Sequence, residues 1–105
     1  MMYVMKTEIS LMKAIEGALP KASPQMQAAM QRRLEQIYLG RHEAALALQA
    51  ALAACDGQPV DGAIKDALHA YWLWLIPSTQ WNEYPEKRYQ PMMEAIEKLR
   101  TLAGA

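Results

Sequence analysis

The segment 68–76 constrains the fold of this chain more than any other stretch, because it is the least polar one and carries two of the three tryptophans. It reads LHAYWLWLI and is followed at once by Pro77. In a helix through this region, successive turns bring the apolar side chains to one side. That inner side comprises Ile64, Ala67, Leu68, Tyr71 and Leu75. The last turn is apolar all round, which requires burial on every side by the protein itself or by a partner.

The whole chain is predicted to be a small all-α bundle. It has 105 residues, of which 52% are hydrophobic, and this apolar share relies on the helix formers alanine, leucine and methionine. We therefore expect a single helical domain over residues 1–105. Apolar residues at three- and four-residue steps predict about five helices, with a long aromatic loop over 77–90. The predicted helices span 8–18, 24–39, 42–55, 62–76 and 91–103.

Capping residues set the expected ends of these helices. Ser23 followed by a proline is the clearest start, because serine accepts from exposed backbone N–H groups and proline suits the first helical position. Thr7 is expected to cap the first helix, whose inner stripe would hold Ile9, Met12, Ile15 and Leu19. Asp56 is expected to close the third helix and Asp61 to cap the fourth.

Gly40 raises the question of whether the second and third predicted helices are separate or form one continuous helix. The segment 38–46, YLGRHEAAL, resembles the turn between the two helices of a tetratricopeptide repeat, in which a glycine ends one helix. The resemblance covers about half of one repeat, and no second copy follows at the 34-residue spacing of that family. The alternative is one continuous helix over 24–55, at the cost of roughly 1 kcal/mol for an interior glycine. A break or kink at Gly40 is the favoured prediction.

The sequence gives little support to catalysis, metal binding or a cofactor. His42 and His69 are far apart in sequence, and each is expected to be an exposed or helix-edge residue rather than a metal ligand. Cys55 follows an alanine-rich helix and is expected to be a small buried residue rather than a nucleophile. No glycine-rich phosphate loop is present. We therefore predict a protein that is not an enzyme and has no cofactor.

Charge and length restrict the compartment and the partners. Lysine and arginine total 11 against 11 aspartate and glutamate, so no net field favours nucleic acid. The apolar run 70–76 is far below the roughly 20 residues of a membrane span. A single cysteine and an N-terminus without a signal-peptide pattern predict a cytoplasmic protein.

An aromatic cluster is the one indication of function. Six of the eight aromatic residues lie between 71 and 89, and such side chains dominate protein-binding hot spots. The alternative is that segment 77–90 folds over the end of the fourth helix and forms a small core of its own, without a partner. The predicted partner-binding residues are Tyr71, Leu73, Trp74, Ile76, Trp81, Tyr84, Lys87, Arg88 and Tyr89.

These observations predict a non-catalytic protein that binds another protein, of the kind that neutralises it: an immunity protein, an antitoxin or an inhibitor. A secretion chaperone or adaptor is the first alternative, which the repeat-like turn at 38–46 would suit. A helical DNA-binding regulator is the second, from a modest basic group that comprises Arg32, Arg33 and Arg41. A structural homodimer, in which the partner is a second copy, is the third.

Overall fold

The computed structural model describes residues 2–34, 41–75 and 86–104. These ranges form five α-helices: α1 (Met2–Ala18), α2 (Pro24–Leu34), α3 (Arg41–Ala54), α4 (Pro59–Leu75) and α5 (Glu86–Gly104). A short 3₁₀ turn, Leu19–Lys21, follows α1. The predicted all-α bundle is confirmed.

Helix α4 is the centre of the bundle. It packs most extensively against α5 on one side and α3 on the other, and it also contacts α1. The inner side that the sequence predicts for it is confirmed, since Ile64, Ala67, Leu68 and Tyr71 are at most 1% exposed and Leu75 is 6% exposed. Helix α1 pairs with α5, and α2 pairs with α3.

The packing of α2 against α3 excludes the single continuous helix over 24–55, which the sequence allowed as an alternative. The two helices lie side by side. A single straight helix over 24–55 would separate them along one axis at about 1.5 Å per residue, and they could not pack against each other. The continuous helix is therefore wrong, whereas Gly40 and the predicted end of α2 at 39 lie outside the described residues.

Helix α1 begins earlier than predicted, and of the predicted stripe Ile15 and Leu19 are buried but Ile9 is not. It starts at Met2, so Thr7 lies inside the helix, where it is buried, and is not its cap. No glycine or proline interrupts residues 2–7, and the helix simply continues through them. Its inner face includes Leu11 and Ile15, whereas Ile9 is 50% exposed. The predicted stripe placed Ile9 inside because Thr7 and Glu8, which are both buried, are polar.

Helix α5 also begins earlier than predicted, at Glu86 instead of Pro91. Residues 86–90 are therefore helix and not part of the predicted loop, and 77–85 lie outside the described residues. Pro91 is exposed within the helix and costs one backbone hydrogen bond. Packing offsets that cost, because Tyr89 lies three residues before the buried Met92 and its ring contacts Trp74 on α4.

Candidate binding surface

Trp74 is the centre of an aromatic group at the carboxyl end of α4. Its ring lies 6.0 Å from that of Tyr71, at an interplanar angle of 39°. On the other side it meets Tyr89 of α5 edge to face, with ring centroids 6.2 Å apart and an angle of 60°. Both separations fall in the range that favours aromatic pairs. The group therefore joins the end of α4 to the start of α5.

The predicted binding residues divide into buried and partly exposed ones. Tyr71 is 0% exposed and Trp74 is 7% exposed, so both are core residues and offer almost no surface. Leu73 and Tyr89 are half-buried, as is Trp72. We call the partly exposed residues Trp72, Leu73 and Tyr89, together with the buried Tyr71 and Trp74, the aromatic end.

The remaining predicted residues fall on parts that the structure does not describe. Ile76, Trp81 and Tyr84 lie outside the described residues. Lys87 and Arg88 belong to the first turns of α5, but their side chains lie outside the described part as well. The structure thus brings Tyr71, Trp74 and Tyr89 together.

A shallow groove runs between α3 and α4 on the outside of the bundle. It has a volume of about 300 Å³ and is lined by two leucines from α3 and three polar residues from α4. Leu48 is half-buried and Leu52 is 55% exposed. Lys65 and Asp66 form an ion pair at 3.3 Å on the opposite wall, where His69 is also exposed. We call these five residues the α3–α4 groove.

Asp61 forms a buried polar junction at the amino end of α4, which the sequence did not predict. The backbone N–H of Ser23 donates to Oδ1 at 2.9 Å, and the N–H of Asp56 donates to Oδ2 at 3.0 Å. Ser23 also caps α2 as predicted, since its hydroxyl accepts from the N–H of Met26 at 3.2 Å. One carboxylate therefore joins the start of α2, the turn after α3 and the first turn of α4.

The predicted role of Asp61 as the N-cap of α4 is wrong. The helix begins at Pro59, so Asp61 lies in its first turn and is 0% exposed. Burial tends to raise the pKa of this carboxyl group. Hydrogen bonds from the Ser23 side chain and from the backbone of Ser23 and Asp56 outweigh that effect and hold its pKa below the ordinary value. Asp61 is thus a buried, ionised structural residue at neutral pH.

Cys55 is exposed, so its predicted burial is also wrong. It lies just after the last residue of α3, where the chain leaves the packed face. Its thiol donates a weak hydrogen bond to the carbonyl oxygen of Asp61 at 3.5 Å. Partial desolvation, followed by the negative charge of Asp61, raises the pKa of this thiol. A thiol of raised pKa is a poor nucleophile at neutral pH.

The described residues contain no cluster that resembles a metal site. Among them, no three histidine, cysteine or acidic side chains come together in a way that could hold a metal ion. His42 and His69 are both exposed, as predicted. Over the same ranges, every helix is too short or too polar to cross a lipid bilayer.

No protein-family model matches this chain, and no curated protein or solved structure is significantly similar to it.

Proposed function

We propose that this chain is a non-catalytic protein that binds another protein through the aromatic end, and that it neutralises that protein in the manner of an immunity protein, an antitoxin or an inhibitor. The observation that carries the proposal is the partial exposure of Leu73 and Tyr89 beside the buried ring of Trp74. Leu73 neighbours Trp74 in the sequence and the ring of Tyr89 packs against it, so both keep part of their apolar surface exposed next to that ring.

A surface of this kind suits protein binding for an energetic reason. Aromatic side chains bury a large area and have few rotatable bonds, so they lose little conformational entropy on binding. The ring of Tyr89 already packs against Trp74 at 6.2 Å in the free chain. Part of the ordering cost is therefore met by the fold before a partner arrives.

The neutralising role rests on what such a protein needs. It has to occlude a surface of its partner and requires no chemistry of its own. A small helical bundle with a concentrated apolar surface meets that requirement. Lys87 and Arg88 directly precede Tyr89 in the sequence and give this segment two positive charges that an acidic partner would favour.

A reducing compartment fits the chain. Its single cysteine carries an exposed thiol with no second cysteine in the sequence to pair with. Free thiols of this kind persist in the cytoplasm, where disulfides are rare. We therefore place the proposed function in the cytoplasm.

The test begins with the full chain as bait in an extract of its native organism, followed by identification and purification of the captured protein. Binding of the purified pair is then measured by calorimetry for the wild type and Leu73→Lys. We expect Leu73→Lys to weaken binding about tenfold or more, because it places a charge in an apolar contact. Ile9→Lys is the matched control, since Ile9 is an exposed apolar residue of α1, and it should bind as the wild type does.

Three results would count against the proposal. Equal binding by Leu73→Lys and the wild type would remove the aromatic end as the binding surface. A captured partner whose activity is unchanged in the complex would remove the neutralising role and favour an adaptor or chaperone. A band shift with duplex DNA that weakens steeply with salt would instead favour the DNA-binding alternative.

A further inference from the structure

The dipeptide aspartate–glycine occurs twice near the start of α4, and the fold gives its two copies opposite surroundings. Asp56 and Gly57 lie in the exposed turn between α3 and α4. Asp61 and Gly62 lie in the first turn of α4, where the aspartate is 0% exposed. This dipeptide is chemically distinctive, because a glycine has no side chain to hinder the attack of its backbone nitrogen on the preceding carboxyl group.

We propose that Asp56 is a site of spontaneous isomerisation to isoaspartate in the folded protein, and that the fold protects Asp61 from the same reaction. First, the backbone nitrogen of Gly57 loses its proton and bonds to Cγ of the Asp56 carboxyl group, and water leaves as a five-membered succinimide closes. Water then attacks the α-carbonyl carbon of the ring and breaks its bond to that nitrogen. The main chain now passes through Cγ, the former backbone carbonyl is a free carboxylate, and the mass is unchanged. The site does not depend on the proposed function.

The turn leaves the reacting atoms of Asp56 and Gly57 accessible. Both residues are exposed, as are their neighbours Cys55 and Gln58. No residue in the described part of the chain accepts a hydrogen bond from the N–H of Gly57, so none has to be broken there before that nitrogen loses its proton. The N–H of Asp56 does donate to Asp61, but ring closure rotates bonds on the carboxyl side of that contact. Closure at this position therefore requires no helical hydrogen bond to break.

The position of Asp61 prevents the same ring from closing. Its two carboxylate oxygens accept from the N–H groups of Ser23 at 2.9 Å and of Asp56 at 3.0 Å. The N–H of Gly62 donates to the carbonyl oxygen of Gln58 at 3.3 Å. Closure would also bring the Gly62 nitrogen into the plane of the Asp61 side chain, which requires ψ of Asp61 to leave the helical range. Reaction at Asp61 must therefore wait until the first turn of α4 opens.

The first test ages the purified full chain for several weeks at neutral pH, once folded and once in guanidinium chloride, and then digests it with trypsin. Both dipeptides fall in one tryptic peptide, 42–65, which Arg41 and Lys65 delimit. Electron-transfer fragmentation locates isoaspartate in that peptide, because it cleaves the Cα–Cβ bond that isoaspartate adds to the main chain. In the folded chain we expect isoaspartate at 56 to exceed that at 61 about tenfold or more, because position 61 reacts only from a locally open state. In the unfolded chain the two positions should react at similar rates.

The second test substitutes the two glycines as a matched pair. Gly57→Ala should reduce isoaspartate at 56 several-fold, because a methyl group hinders the attacking nitrogen, whereas Gly62→Ala should leave it unchanged. Circular dichroism verifies that both variants fold. Equal amounts at 56 and 61 in the folded chain, no isoaspartate at 56, or equal effects of the two variants would overturn the proposal. An unfolded chain that reacts at 56 alone would remove the fold as the cause of the difference.

Discussion

The Asp61 junction gives the most direct test of how this fold is held together, through the substitution Asp61→Asn. The amide keeps the shape of the carboxylate but has one acceptor and one donor end. Whichever way it points, one of the backbone N–H groups of Ser23 and Asp56 faces another donor, because both donate to the carboxylate in the wild type. The substitution thus loses a charge-assisted hydrogen bond without making a cavity.

The expected cost follows from the burial of the two donors. Ser23 is 3% exposed, so its N–H has no access to water if Asp61 fails to accept from it. A hydrogen bond to a charged group contributes about 1.5–3 kcal/mol to stability. Asp56 is exposed, and water can replace part of its bond. We expect Asp61→Asn to lower the free energy of unfolding by about 1.5–3 kcal/mol, with the lower end if the amide oxygen keeps the bond to Ser23.

Urea unfolding followed by circular dichroism at neutral pH measures this loss. The matched control is Asp66→Asn, which makes the same change on the same helix at a side chain that is 56% exposed. Its ion pair with Lys65 is on the surface, and such pairs contribute at most about 1 kcal/mol. A cost for Asp66→Asn equal to that for Asp61→Asn would refute the argument that burial and satisfied hydrogen bonds decide the difference.

The pH dependence has a definite sign. The pKa of Asp61 is lowered in the fold below its ordinary value of 3.8. The stabilisation from its charge is therefore complete above that ordinary value and is lost as the pH falls through the lower folded pKa. We expect the stability difference between the wild type and Asp61→Asn to be constant near neutrality and to shrink in this acidic range. A difference that persists unchanged after Asp61 is protonated would mean that its charge does not stabilise the junction.

Three other predictions follow from the structure. Trp74→Ala should cost about 3–5 kcal/mol in a thermal or urea melt, since it removes a large buried ring; an unchanged melt would place Trp74 outside the core. Gly57 has a φ of +79°, so Gly57→Ala should lower the free energy of unfolding by about 1 kcal/mol. Gly62 lies inside α4, where Gly62→Ala should raise the free energy of unfolding by roughly 0.5–1 kcal/mol. Effects of the same sign at the two positions would contradict this reasoning. Cys55 should be alkylated more slowly than a free thiol at neutral pH, despite its exposure, because its pKa is raised, and a faster rate would contradict that shift.

The parts of the fold that the sequence predicts well are those where apolar spacing is uninterrupted. On α5, Met92, Ile96 and Leu99 recur at three- and four-residue steps and all three are 0% exposed. The same spacing identifies the inner side of α4. Such a stripe lies on one face of the helix, so the helical period alone predicts which face is buried.

Polar residues on the inner faces of α1 and α4 caused the errors in the predicted helix starts and in the predicted caps. Asp61 lies three residues before Ile64 and continues the buried stripe of α4 by one turn, but an aspartate before a helix is also an ordinary cap. The position of Asp61 in that stripe indicates that it is buried, provided that the helix begins at Pro59. Its partner Ser23 lies 38 residues away, and no local pattern connects the two. Thr7 and Glu8 misled the prediction for α1 in the same way.

The burial of the aromatic residues near the end of α4 was only partly predictable from the sequence. The sequence shows that aromatic residues concentrate at the end of α4, but not which of them face inward. Tyr71 is one turn after the buried Ala67 and Leu68, so its burial follows from the helical period. The ring of Trp74 also meets that of Tyr89, and this contact depends on a helix that continues through Pro91.

The two ends of α4 are held by different kinds of interaction, and this difference determines which of them acid weakens. At its amino end a buried carboxylate accepts two backbone hydrogen bonds, whereas at its carboxyl end the ring of Trp74 packs against Tyr71 and Tyr89. Protonation of Asp61 removes the charge that strengthens the first set of contacts, and the ring contacts carry no such charge. We therefore expect the acid-dependent loss of stability below the ordinary pKa of Asp61 to arise from the Asp61 junction, and Asp61→Asn should lack that part of the loss.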